Sequence, residues 1–196
     1  MLEFWPIVLT VSGLATSGVF ARAVRNHFVS KKLPPGMKLI VALSYLAIFV
    51  YLFALWTGAA AVWQRVAGLF LQIVAAGIFD WARTTTLNNR LTAAFDTDEP
   101  TFLMRDGPYR FVRHPFYCSY ITFWIGSSLG CNSFLLYVIC VLLIASYVIA
   151  ALLEEQKFKS SPFAVDYQNY VRETGFFFPK ISTLATADRP KSRSRP

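Results

Sequence analysis

Five apolar runs, each long enough or nearly long enough to cross a bilayer as a helix, dominate this sequence. A helical span needs about 20 apolar residues to cover a hydrocarbon core about 30 Å thick. The runs cover Phe4 to Ala21, Leu39 to Ala61, Val66 to Phe79, Phe116 to Gly130 and Phe134 to Leu153. The third is short, but Trp63 and Trp81 are placed to mark its two interfaces as an aromatic belt. Only Cys131-Asn132-Ser133 separates the last two runs, which predicts an antiparallel helical hairpin. The pattern predicts an all-α fold: a polytopic membrane helical bundle of about five transmembrane helices, with a C-terminal cytoplasmic helical segment. Composition agrees, because only 15 % of residues are charged against about 25 % in a soluble domain. The 18 phenylalanines among 196 residues also exceed what a soluble core of this size can hide.

The loops set an orientation. Under a five-helix count, 18 of the 19 basic residues fall on one side and only Arg65 on the other. The positive-inside rule makes the basic side cytoplasmic, with the N-terminus outside. The net charge of +8 is thereby accounted for without nucleic acid, for which no motif is present. The first run lacks a basic region before it, and Arg22 and Arg25 follow it. That order describes a retained helix rather than a cleaved signal peptide. Residues 1–184 read as a single integral-membrane domain. Residues 185–196 read as a disordered basic tail that can lie on anionic lipid. Cys118, Cys131 and Cys140 match no metal or redox spacing and are expected to be small apolar packers. Gly126 and Gly130 form a GxxxG, a spacing that lets helices approach closely.

Two cytoplasmic segments hold most of the polar chemistry. The first is Asp106-Gly107-Pro108-Tyr109-Arg110-Phe111-Val112-Arg113-His114-Pro115-Phe116-Tyr117. Pro108 is placed to open a short helix after the break at Gly107, with Arg110, Arg113 and His114 on one face. Pro115 takes His114 out of helical geometry and starts the fourth membrane helix. The exposed N–H groups of a helix start, with two arginines nearby, suit an anion. Interfacial anchoring accounts for the same residues equally well. The second segment is Glu154-Glu155, at the cytoplasmic end of the fifth helix. Two acids there oppose the helix dipole, so a function is worth seeking. Adjacent helical residues point about 100° apart, so one of the two is expected to face inward. Beyond them, Tyr167, Tyr170 and Val171 have helical spacing, and Arg172 is a cation for an anionic substrate or a headgroup phosphate.

At these residues the sequence resembles a known group, the integral-membrane isoprenylcysteine carboxyl methyltransferases and phospholipid methyltransferases. The pattern is Gly-Pro-Tyr-Arg, then Arg-His-Pro-x-Tyr-x-Gly, a helical hairpin, Glu-Glu, and Phe-Gly-x-x-Tyr-x-x-Tyr. Gly107 to Arg110, Arg113 to Tyr117, Gly126, Glu154-Glu155, Tyr167 and Tyr170 match it, and the likeness runs from about Ala82 to Ile181. Residues 1–81 then stand as N-terminal helices and 82–181 as the catalytic core. The resemblance implies S-adenosylmethionine as methyl donor, bound on the cytoplasmic side. Tyr109, Arg113, His114, Pro115, Tyr117 and Glu155 would bind the cofactor. Glu154, Glu155 and Arg172 would serve the reaction centre, and the hairpin would wall a pocket open to lipid. Three departures stand out: Ser119 and Ala164 replace glycines, one residue is inserted after Glu155, and Ala150-Ala151-Leu152-Leu153 lacks the arginine of prenylcysteine-type members.

The expected activity is therefore S-adenosylmethionine-dependent methylation of a hydrophobic, lipid-like acceptor in a membrane-lipid setting, without metal or nucleic acid. Prenylcysteine carboxyl O-methylation comes first, then phospholipid amine N-methylation or another hydrophobic small molecule. A non-enzymatic membrane partner protein on the same scaffold is the alternative from a different class. No charge lies mid-membrane in these helices, which argues against a channel or transporter. The absence of extra domains or a retention signal favours the bacterial inner membrane over the endoplasmic reticulum.

Overall fold

In the computed structural model, residues 4–29, 35–87, 91, 92, 100 and 102–180 are described. The tail expected at 185–196 lies outside them. The chain forms α1 (Phe4–His27), β1 (Phe28–Val29), α2 (Pro35–Thr57), α3 (Val62–Thr85), β2 (Leu91–Thr92), a 3-10 turn (Gly107–Arg110), α4 (Pro115–Cys131), α5 (Phe134–Lys159) and α6 (Ala164–Glu173). The all-α polytopic bundle expected from the apolar runs is what forms. Helices α1, α2, α3 and α5 are long and apolar enough to cross a membrane. With 17 residues, α4 extends only about 26 Å at a rise of 1.5 Å per residue, so four helices of the five reach that length.

The exposed side chains of the bundle explain its solvent. Tyr45, Phe49, Phe53, Phe70, Phe134, Val141 and many other large apolar residues stand on the surface. Water would not tolerate so large an apolar face; hydrocarbon does. Trp63 and Trp81 are also exposed, near the two ends of α3, where an aromatic belt places them. By contrast α4 is enclosed by its neighbours and buries ten of its residues.

The tightest packing in the bundle is between α3 and α4. The buried face of α3 is Gly68, Gln72, Ala75, Phe79 and Ala82, a four-three-four-three spacing that makes one continuous stripe. A Cβ on Gly68 would come within 2.7 Å of both the Gly126 carbonyl oxygen and the Gly130 Cα. A Cβ on Gly126 would come within 2.7 Å of the Leu71 Cβ. The GxxxG spacing therefore does serve a helix contact, with Gly126 as its crowded member. A Cβ on Gly130 would meet only ordinary contacts, the nearest at 3.5 Å. Ser119, in the place of a glycine, fits this seam because its hydroxyl donates to the Ala75 carbonyl at 2.9 Å.

Deeper in the bundle, four helices share a neutral polar knot. The Gln72 amide donates to Tyr51 Oη at 2.9 Å and to Ser127 Oγ at 3.1 Å. Tyr51 in turn donates to the Leu9 carbonyl at 2.7 Å. Cys131 and Cys140 pack in the same apolar core, as their spacing suggested. The α4–α5 hairpin turns on Asn132, which adopts the left-handed conformation (φ 49°). The Ser133 hydroxyl then caps α5 by accepting from the Leu136 N–H. Alternation of the helices brings the end of α3, the start of α4 and the end of α5 to one end of the bundle. Parallel pairing of β1 with β2 fits α1 and α3 running in the same direction.

Candidate active site

The segment between α3 and α4 is shaped by its own residues before it meets any partner. Gly107 has φ +57°, and a Cβ there would collide with the Thr85 side chain. Glycine alone gives both that conformation and that approach. Pro108 then sits in the first turn of the 3-10 helix, which Asp106 precedes as the capping residue. The short helix ends at Arg110, earlier than the shared face of Arg110, Arg113 and His114 required. Arg110 is exposed, and the chain turns so that only Arg113 and His114 face inward. Pro115 begins α4, with His114 as its N-cap residue.

His114 lies between the two acids of α5. Its Nδ1 is 3.5 Å from Glu154 Oε2, and its Nε2 is 3.3 Å from Glu155 Oε1. A ring with a carboxylate on each nitrogen is best served by a proton on each. Burial works against charge on this ring, but the hydrogen bonds and charges of Glu154 and Glu155 outweigh it and hold its pKa above the ordinary value. Both acids of the pair thus meet the site, where helical geometry had suggested one. The site reaches around the end of α5, and His114 spans the angle between the two side chains.

The remaining contacts fix each carboxylate. Arg113 Nε donates to Glu155 Oε1 at 2.7 Å, and Arg113 Nη1 donates to the Thr174 carbonyl at 2.7 Å. Both members of that ion pair are more than nine-tenths buried. The Tyr117 hydroxyl donates to Glu154 Oε1 at 2.8 Å, and its ring stacks on Tyr147. The Tyr109 phenol is raised well above its ordinary pKa by burial, with the Glu154 charge adding to it.

Helix α6 and the turn after it lock this arrangement. Tyr170 donates to the Tyr109 carbonyl at 2.7 Å. The Arg113 N–H donates to the Gly175 carbonyl at 2.9 Å, and the Gly175 N–H to the Phe111 carbonyl at 3.1 Å. A Cβ on Gly175 would overlap the Phe178 carbonyl oxygen, so the turn demands glycine. Phe176 then packs against His114, with ring centroids 4.9 Å apart. The run of three phenylalanines packs on the bundle through Phe176 and Phe177. Cys118 donates to the Phe177 carbonyl at 3.2 Å.

A cleft opens beside these groups. Tyr109, Arg113, His114, Pro115, Tyr117 and Glu154 line it, so six of the eight sequence-expected site residues meet there. Glu155 lies behind, holding Arg113 and His114. Arg172 does not join them: it is exposed on α6, and its carbonyl accepts from Lys180 Nζ at 3.0 Å. Sequence reasoning missed Phe102, Leu103 and Met104, which complete the cleft from an irregular segment, and Lys157 and Phe158, which close it from α5. The Lys157 Nζ is buried and has no hydrogen-bond partner among the described residues.

An enclosed acid–histidine–arginine cluster at one end of a lipid-facing bundle defines a polytopic membrane protein with a polar chamber at its surface. The phospholipid methyltransferase family model matches residues 63–164, 102 of the 196 residues, and the chain belongs to that family. The match starts at α3, earlier than the likeness read from Ala82, and ends at the first residue of α6. The resemblance drawn from the motifs thus holds at the level of the family, with the methyltransferase character and lipid-like substrate class that the family carries. No curated protein matches the chain.

Proposed function

We propose that this protein transfers a methyl group from S-adenosylmethionine to a lipid-like acceptor, with the cleft on the cytoplasmic side, where the basic loops cluster. The observation that carries this is the placement of His114 between Glu154 and Glu155 at the edge of an aromatic cleft. The residues fit the donor's chemistry. It bears cationic groups, ribose hydroxyls and an aromatic base; the cleft offers a carboxylate in Glu154 and aromatic faces in Tyr109, Phe158 and Tyr167.

Bound there, S-adenosylmethionine supplies an electrophilic methyl group on a sulfonium. The protein's task is alignment and exclusion of water, since in-line transfer needs reacting atoms about 3–3.5 Å apart. Glu154, oriented by Tyr117 and His114, holds positive charge at the cleft wall. Glu155 fixes Arg113 and His114 rather than facing the cleft. Phe102, Leu103 and Met104 supply an apolar side for an acyl or prenyl chain.

Two acceptors divide the reading. Prenylcysteine carboxyl O-methylation needs a cation beside the acceptor; Arg172 is exposed on α6, which leaves Lys157 as the cation for that role. N-methylation of a phospholipid amine needs a carboxylate beside the acceptor, and Glu154 lines the cleft. We place the amine first; the phospholipid methyltransferase family match and the absence of arginine from Ala150-Ala151-Leu152-Leu153 support that order.

Thermal unfolding of the detergent-purified protein with and without S-adenosylmethionine tests the reading. A ligand at 100 times its Kd adds about 2.7 kcal/mol to native stability. Stabilisation of the wild type, lost in His114→Ala, is the expected result. A well-folded protein that millimolar cofactor does not stabilise would overturn it. Labelled product that survives mild base identifies an amine, whereas a base-labile product identifies an ester.

A further inference from the structure

The charges of the cleft do not balance from within. Arg113 is spent on Glu155 and the Thr174 carbonyl. His114 is spent on Glu154 and Glu155. The two Glu154 oxygens meet Tyr117 and His114, and neither bonds the third cation. That cation is Lys157, one helical turn beyond Glu154 on the same stripe of α5. It lines the cleft, yet its Nζ is buried without a hydrogen-bond partner among the described residues. Taking an ammonium out of water with no hydrogen-bond partner is costly, and such a group is retained where a ligand completes it.

We propose that Lys157 is the anion-recognition residue of this cleft, its ammonium receiving a carboxylate or phosphate carried by the bound ligand. Two ligands can bring that chemistry, the amino-acid carboxylate of the cofactor and the phosphate of a lipid acceptor. The first source rests on the methyltransferase reading; the second needs only a lipid that enters the cleft. The placement gives the site a polarity: carboxylate at Glu154 for cationic groups, ammonium at Lys157 for anionic ones, one turn of helix apart.

The test compares wild type, Lys157→Met and Lys157→Arg in phosphate-free non-ionic detergent, with four probes. S-adenosylhomocysteine is paired with its decarboxylated analogue, and dihexanoyl phosphatidic acid with dihexanoylglycerol. A loss of tenfold or more for S-adenosylhomocysteine in Lys157→Met, with the decarboxylated analogue unchanged and Lys157→Arg restored, assigns the anion to the cofactor. The same loss confined to phosphatidic acid, with dihexanoylglycerol unchanged, assigns it to the acceptor. Ligand-free Lys157→Met is expected to melt no lower than wild type, because it removes a buried ammonium without a hydrogen-bond partner among the described residues. Unchanged affinity for both anionic probes in Lys157→Met would overturn the proposal, as would a ligand-free melting point that falls while affinities hold. Wild type that binds phosphatidic acid through Lys157 but not S-adenosylhomocysteine would sink the methyltransferase reading and keep this one. Wild type that binds neither would sink both.

Discussion

Two buried polar clusters sit in this bundle, and they differ in what they lack. The inner one joins Gln72, Tyr51, Ser127 and the Leu9 carbonyl through neutral hydrogen bonds. It ties four helices together and touches no cleft. The outer one joins Arg113, His114, Glu154, Glu155 and Tyr117 through charged contacts. It opens on a cleft and holds back one cation. Neutral knots of this kind contribute modestly in membranes, averaging about 0.6 kcal/mol per hydrogen bond. Charged clusters carry a desolvation cost that only close pairing offsets. A protein that needed stability alone would be served by the first kind. The second kind is what the proposed site uses.

The comparison can be broken at its strongest joint. Glu155→Ala leaves the Arg113 guanidinium buried beside an empty place, and removing one partner of a buried pair costs about 3–5 kcal/mol. The expected result is a large fall in melting temperature together with loss of cofactor binding. Arg113→Met combined with Glu155→Leu should recover much of the melting temperature but none of the binding. Recovery of both would erase the distinction between the clusters.

Tyr117→Phe probes the outer cluster more gently. It removes one hydrogen bond to a charged group, a change of about 1.5–3 kcal/mol. Its effect should fall mainly on cofactor affinity, read by titration, because Glu154 keeps His114. Gln72→Leu is the matching cut in the inner cluster. A loss of about 1 kcal/mol in stability with unchanged methyl transfer is expected; a collapse of transfer would show that the two clusters are coupled.

The smallest expected effect is a pH slope. His114 has its pKa raised in the folded protein, so it binds its proton more tightly there than in the unfolded chain. That contribution is complete below the unfolded value of about 6.5 and fades as pH rises through the higher folded value. Wild type minus His114→Gln melting temperature, plotted against pH, should fall across that window. A flat difference would show that the ring holds its proton equally in the folded and unfolded chain, and one that rises with pH would show a ring kept neutral between its two acids.

The helices were legible because apolar runs of that length have few other solutions. The hairpin was legible from its three-residue turn, and the place of His114 at the start of α4 from the proline that follows; of the face read for Arg110, Arg113 and His114, only the last two turn inward. The exposure of Arg172 was in principle legible too. Tyr167 and Tyr170 are three apart and share the buried face of α6; Arg172 lies two residues beyond Tyr170, about 200° around the helix. Lys157 carried a similar signal, standing three residues after Glu154. Phe102, Leu103 and Met104 carried none, because an irregular segment has no period, and only tertiary packing brings it to the cleft. The service of both acids was hidden for a different reason: His114 reaches two directions of one helix at once, and no pattern on α5 alone records that.

The staple at Gly175 has a consequence for how the protein is made. Arg113 meets Thr174, and Tyr109 meets Tyr170, across 61 residues of sequence in each case, with the whole α4–α5 hairpin between. During synthesis that hairpin enters the bilayer before its own reaction chamber exists. Until residues 174 and 175 emerge, Arg113 has neither its carbonyl acceptor nor its backbone partner. A nascent chain is thus an inserted bundle first and a competent site last. A ribosome stalled before Thr174 would leave in the membrane a protein with all four described membrane-length helices in place and an unfinished chamber.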